Sequence, residues 1–386
     1  MPLDECRLLL ACVQTALGLS PQEDVCLLLE RPCDWERFLE LAGWHGVVPL
    51  VHLSLREQEA VPAEVRQRLH RYYTLNAQRS LHLLGAQLRI HQWMTARGLR
   101  LVSWKGPIMG KRLYGNNAWR ESCDLDFLAH PNDFKRVLEA FLQMGYVHGA
   151  SRWTAEQLSR WHQAQHEARL FHPETRTAVE LHDAVLPEYF LLKRLNAPDL
   201  IVRAQPLEAH GHLLSLQPED EFLALCGHGT KHSWDRLKWI CDIVQFLRTY
   251  AHALDAQALM DHARTYGCTN VVLLGTGLAQ ELFRIPLPQP LESALQRHRL
   301  MRGEAARLAQ RFLSGGMGAE DDAERSRLHL AVMQGPFSKA GYLLRKLVWI
   351  NPEVIQDYRS DWRWRIRYYS RRLLHVTAKG LRLMPR

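Results

Sequence analysis

The segment Arg120-Glu-Ser-Cys-Asp124-Leu-Asp126-Phe-Leu-Ala129 constrains this chain more than any other, because two carboxylates two residues apart sit inside an apolar run. In an extended strand side chains alternate between faces, so Asp124 and Asp126 point one way while Cys123, Leu125 and Phe127 point into a core. A strand of this kind belongs to a sheet with one face covered and the other bearing charge. Two neighbouring carboxylates repel unless a cation lies between them, and hard oxygen donors of this type suit Mg²⁺.

A third acid stands in Ala178-Val-Glu180-Leu-His182. Residues 167–172, a polar turn over 173–176 and residues 177–182 read as a hairpin. Glu180 and His182 share one face of its second strand, and Val179 and Leu181 share the other. Three acids on two adjacent strands can hold two Mg²⁺ ions about 4 Å apart, the arrangement that steadies attacking and leaving oxygens in an in-line phosphoryl displacement.

The hydrophobic period changes twice along the chain. Residues 1–98 read as helical, with apolar spacing over 35–53 and again over 65–97, where Leu69, Tyr72, Leu75, Leu81, Leu84 and Leu88 recur before Gly98. Residues 99–104 and 123–129 read as strands, and Tyr146-Val147 opens a third. Helices are expected over 107–114 and 131–144, the second ending at Gly145. From residue 186 onward helices return, over 219–231, 234–249, 256–266 and 271–283. Pro286, Pro288 and Pro290 suggest a linker, and Gly315-Gly-Met-Gly a loop. The expected fold is α+β: a small mixed β-sheet core (99–185) flanked by an N-terminal helical region (1–98), a helical domain completing the cleft (186–300) and a helical C-terminal region (301–386).

Four short motifs stand in order: Lys105-Gly106-Pro107, Arg120 to Asp126, Glu180-Leu181-His182, and His228-Gly229-Thr230-Lys231-His232. With Leu41-Ala42, His45-Gly46-Val47 and Pro49-Leu50 upstream, they resemble the uncharacterised nucleotidyltransferase family of the polymerase-beta-like nucleotidyltransferase superfamily. The resemblance implies transfer of a nucleoside monophosphate from ATP or another NTP to an acceptor hydroxyl or phosphate, with release of pyrophosphate. Asp124, Asp126 and Glu180 would bind two Mg²⁺ ions and carry catalysis. Gly106, Lys105 and Arg120 would hold the triphosphate. Lys231, His232, Arg236 and Lys238 would line the opposite wall and touch phosphate or acceptor, which would be a small molecule or a peptide.

Where the wider superfamily usually has Gly-Ser or Gly-Gly after its first strand, this chain has Lys105-Gly106-Pro107. Gly106 still permits close backbone approach, and Lys105 offers a point charge to phosphate. A protein that kept the fold and nucleotide binding without turnover is the alternative reading. Zinc is a competing metal, since His162 and His166, like His228 and His232, fall four residues apart; the first pair lacks the Glu that follows the leading His in zinc peptidases.

Composition bounds the rest. The eight cysteines include no Cys-x-x-Cys, which argues for reduced thiols, and no apolar run reaches the roughly 18 residues of a membrane span. Acids at Asp4 and Glu5 replace the positive charge of a signal peptide, so a cytoplasmic protein is expected. From Gly341 to Arg386 eleven Lys and Arg side chains face three acids, which accounts for the whole +8 net charge. Interleaved with Trp349, Trp362, Trp364, Tyr368 and Tyr369, this region reads as a solvated helical face, an anionic-membrane surface or a nucleic-acid patch.

Overall fold

The strand-forming residues gather into one seven-stranded mixed sheet with helices on both faces, an α+β arrangement larger than the small sheet expected. The computed structural model describes residues 3–149, 154–186, 197–207, 210–315, 322–348, 363 and 366–370. Most of the basic, aromatic C-terminal region therefore lies outside the described residues, as does most of the glycine loop after Gly315.

The N-terminal helices are α1 (Leu3–Ala16), α2 (Gln22–Leu29), α3 (Trp35–His45), α4 (Val48–Leu55) and α5 (Ala63–Thr95). The helical period over 35–53 is interrupted because Gly46 adopts a left-handed φ of 67°, ending α3, whose start is capped by the Asp34 carboxylate on the Arg37 amide. Along α5, Val65 and Leu69 enter the core of the N-terminal helices, whereas Leu83, Ala86, Ile90 and Met94 cover the back of the sheet. The helical N-terminal stretch thus contributes one wall to the sheet that follows it.

Next come β1 (Leu101–Ser103), α6 (Pro107–Tyr114), β2 (Leu125–Ala129), α7 (Phe134–Gln143), β3 (Val147–His148), α8 (Ala155–Gln165), β4 (Glu167–His172) and β5 (Thr177–His182). Strand order is β3-β4-β5-β2-β1, then β7 (His210–Ser215) and β6 (Gln205–Leu207), which follow α9 (Ala197–Arg203). These last two strands come from a stretch read as helical. Leu213 and Leu214 are adjacent and so show no alternation, and β7 is specified by parallel pairing with β1.

Alternation sorts the sheet's side chains. Leu101, Leu125, Phe127, Ala129, Leu170, Val179 and Leu181 face α5 and α7. There Phe127 packs 6.0 Å from Phe141, a fully buried side chain contributing about 1.5–3 kcal/mol. Ser103 on β1 binds Gln87 and His91 of α5 at 2.8 and 2.7 Å. Val102, Trp104 and Leu128 face the other way, into the larger core.

That core is built from α10 (Pro218–Lys231), α11 (Leu237–Thr249), α12 (Ala256–Thr265), α13 (Thr269–Phe283), α14 (Gln289–Arg297), α15 (Arg299–Leu313), α16 (Asp322–Val332) and the N-terminal helices, with α17 (Gly335–Val348) following. The proline-rich stretch ends in a helix rather than a linker: Pro288 caps α14 and Pro290 lies in its first turn, where no amide needs an intrahelical acceptor. All eight cysteines are free, five of them buried. No described helix is long and apolar enough to cross a membrane.

Candidate active site

Backbone register assembles the acids. β2 and β5 run parallel with Asp126 opposite Glu180, and β4 runs antiparallel to β5 with Arg169 opposite Glu180 and Glu167 opposite His182. With a period of two, these side chains share the sheet face turned toward the larger core. Asp126, Glu180 and His182 offer ligand atoms that all lie within 4.8 Å of one another, the only such set among the described residues. Asp124 immediately precedes β2 and is half-buried.

Cations from the chain itself sit among these acids. The Lys105 ammonium is 2.9 Å from Asp126 Oδ1 and 4.1 Å from the centre of the Trp104 ring. His182 Nε2 lies 3.4 Å from Asp126 Oδ1 and 3.6 Å from Glu180 Oε2, while its Nδ1 is 3.9 Å from Glu167 Oε2. Burial disfavours the charged imidazole, yet Asp126, Glu180 and Glu167 together lift His182 to about 9. Burial likewise opposes ionisation of Asp126, but Lys105 and His182 hold its carboxyl well below the usual range. Glu180 is lowered too, since His182 outweighs its burial.

Asp124 behaves oppositely. Burial, and then the charges of Asp126 and Glu180, push it up to about 6 against the pull of Lys105 and Lys238. Its carboxylate has no hydrogen bond or ion pair among the described residues. A divalent cation among Asp124, Asp126 and Glu180 would answer that missing charge, and hard carboxylate donors suit Mg²⁺. Asp126 and Glu180 belong to the three-residue ligand set, whereas Asp124 lies outside it and His182 takes the third place.

The end of α10 and the start of α11 form the facing wall. Trp104 stands edge-on between His182 (6.0 Å) and His228 (5.9 Å), and His228 lies 4.7 Å from His232 and 5.3 Å from Trp239. Burial pushes both His228 and His232 well below their ordinary value, leaving them neutral. It also lowers Lys231, with Glu167 opposing. Neither Lys231 nor Lys238 has a hydrogen bond or ion pair among the described residues. Gly229 serves packing: a Cβ there would come within 2.5 Å of the Trp234 ring.

The remaining sequence-predicted residues divide. Gly106, at φ 90° and ψ −165°, turns the chain from Lys105 into α6 with Pro107 in the first helical turn; that conformation favours glycine and leaves helix-terminal amides beside Lys105. Arg120 forms no ion pair with these acids, though the charge of Asp126 reaches it. Its Nε and Nη2 donate to Asp242 on α11 at 2.8 and 3.0 Å, and its Nη1 donates to Ser122. Asp242 also accepts from the Tyr114 hydroxyl at 2.9 Å. Arg236 caps α11 with its guanidinium over Trp44, 5.1 Å from the ring centre. Neither arginine hydrogen-bonds or pairs with the three acids. His162 and His166 bind the two oxygens of Asp183 at 3.0 and 2.9 Å and belong to no three-residue ligand set.

Sequence reasoning missed Glu167, Arg169 and Trp104, and gave His182 no definite role. The hairpin held a signal for two of these, since a four-residue turn between residues 172 and 177 places Glu167 opposite His182 and Arg169 opposite Glu180.

A strand-turn-helix carrying Lys105-Gly106 beside a two-strand acid cluster defines a nucleotidyltransferase-type site. The family model described as uncharacterised nucleotidyltransferase matches residues 31–284, roughly two thirds of the chain and every residue of this site. The chain belongs to that family. No curated protein and no solved structure matches it.

Proposed function

We propose that this protein is a Mg²⁺-dependent nucleotidyltransferase that moves a nucleoside monophosphate from an NTP to an acceptor and releases pyrophosphate. One observation carries the reading: Asp126 and Glu180 stand opposite each other on parallel strands, with the partnerless Asp124, its carboxyl pushed up to about 6, beside them. Asp124, Asp126 and Glu180 would hold two Mg²⁺ ions, which when bound neutralise charge on the transferring phosphoryl group and on its attacking and leaving oxygens. His182 Nε2 stands between Asp126 and Glu180. Lys105 and the amides after Gly106 receive the triphosphate, with Lys231 and His232 across the cleft to meet phosphate or acceptor. Arg120 serves by tying the segment before β2 to α11.

The 2.9 Å contact between Lys105 and Asp126 favours a second reading, in which the ammonium replaces the metal's charge and the chain binds nucleotide without turnover. Pyrophosphate release with each NTP and Mg²⁺, together with the melting temperature with and without Mg²⁺, separates the two. Under the first reading the parent protein releases pyrophosphate and is stabilised by Mg²⁺, by about 2.7 kcal/mol at a hundredfold excess over Kd. Asp126→Asn loses both. Turnover by Asp126→Asn at the parent rate sinks the assignment; NTP binding with neither turnover nor Mg²⁺ stabilisation supports the second reading.

A further inference from the structure

Arg169 is held by one nitrogen only. Its Nε donates to Glu167 Oε1 at 2.9 Å and lies 3.3 Å from Glu180 Oε1, which fixes the guanidinium beside the acid cluster. Nη1 and Nη2 make no hydrogen bond among the described residues, and the side chain is 58% exposed. Its Cζ lies 5.0 Å from the centre of the Trp161 ring. Charge neutralisation of Glu167 and Glu180 accounts for the Nε contacts and leaves the two-nitrogen fork, the geometry that grips an oxyanion bidentately, turned to solvent.

Lys231 adds a second cation. It is half-buried, has no hydrogen bond or ion pair among the described residues, and feels Glu167, then Lys105, Glu180 and Arg169. Like-charge repulsion of Lys231 by Lys105 and Arg169 is relieved by an anion beside it, and two cations match a doubly charged group better than a carboxylate. The position separates Arg169 from the triphosphate site. Lys105 and Gly106 follow β1, whereas Arg169 is on β4, with β2 and β5 between; three strand spacings amount to about 14 Å. Arg169 instead touches Glu180, the acid assigned above to the acceptor side.

We infer that the acceptor carries a phosphate monoester, docked between the Arg169 fork and the Lys231 ammonium next to Glu180. This inference rests on the proposed nucleotidyl transfer for the word acceptor, but the anion site is testable without turnover. Glycerol 3-phosphate serves as the probe, with glycerol as its uncharged control and acetate as the carboxylate arm. Each is titrated calorimetrically into the full-length protein, alone and with Mg²⁺ and a non-hydrolysable NTP analogue. Glycerol 3-phosphate should bind more tightly than acetate, and glycerol should not bind. Arg169→Gln and Lys231→Gln should each weaken it at least tenfold, and Arg169→Gln should leave the affinity for the analogue unchanged. Because the Arg169 Nε is the hydrogen-bond partner of buried Glu167, Arg169→Gln is expected to melt below the parent, and its circular dichroism checks that the fold is kept.

Equal binding of glycerol 3-phosphate by parent and Arg169→Gln overturns the inference. So does an absence of binding by the parent, or acetate binding as tightly as the phosphate. Weaker analogue binding in Arg169→Gln also overturns it, since the arginine then serves the nucleotide. If the analogue fails to bind the parent, the proposed function is in difficulty, while the titration of protein alone still decides whether this phosphate site exists.

Discussion

Arg120 is the residue at which the family resemblance and the tertiary structure assign different work, and its exchange for methionine tests which is right. Arg120 and Asp242 have side chains only 6% and 2% exposed and share two hydrogen bonds of 2.8 and 3.0 Å. Removing one member strands the other's charge in the interior, which costs about 3–5 kcal/mol. Asp242→Leu also removes the acceptor of the Tyr114 hydroxyl, a further loss of about 1–3 kcal/mol. The double variant Arg120→Met/Asp242→Leu buries neither charge and should recover much of this, giving a coupling energy of about 2–3 kcal/mol. Urea unfolding of the four proteins measures the cycle, and nucleotide titration of the double variant measures the site. Strictly additive losses, or single losses below about 1 kcal/mol, refute the buried pair. A stable double variant whose nucleotide affinity has fallen tenfold shows instead that Arg120 reaches the triphosphate.

Gly229→Ala should destabilise by about 1–3 kcal/mol, read from thermal melts, because a Cβ there overlaps the Trp234 ring at 2.5 Å; an unshifted melting temperature contradicts that packing. Acid should weaken the fold through His45, whose Nδ1 accepts the Leu237 amide at 3.3 Å and whose pKa is pushed down to about 4 by burial and then by Arg236 and Arg311. With the folded value below the unfolded 6.5, its contribution is complete above pH 6.5 and is lost as pH falls toward 4. At about 1.4 kcal/mol per pH unit the loss approaches 3 kcal/mol. The urea midpoint of the parent should therefore drop more between pH 7 and 4.5 than that of His45→Gln, and parallel declines would count against His45.

Much of the site was legible because its local geometry is short-range. The hairpin over 167–182 and the helix after Gly106 have the bounds read from alternation and from Gly-Pro, and Glu180 and His182 share the expected face. Strand β2 begins at Leu125, not Cys123, so Asp124 enters from the preceding turn rather than from the strand. The break at Gly46 and the helix α14 needed knowledge of a single φ and of where a proline falls in a first turn. Strands β6 and β7 were hidden because they are short and lack alternation.

By itself the sequence determined which residues alternate, where the chain turns, and that carboxylates and an imidazole would share one side of a small set of strands. Periodicity of two or 3.6 is a property of neighbours along the chain and is written in composition. Only the folded molecule decided that Arg120 would spend its charge on Asp242, 122 residues away, that β7 would extend the sheet beside β1, and that Lys105 would reach Asp126. Such partnerships are selected by burial and charge satisfaction summed over the whole core, and no local pattern in the chain records them.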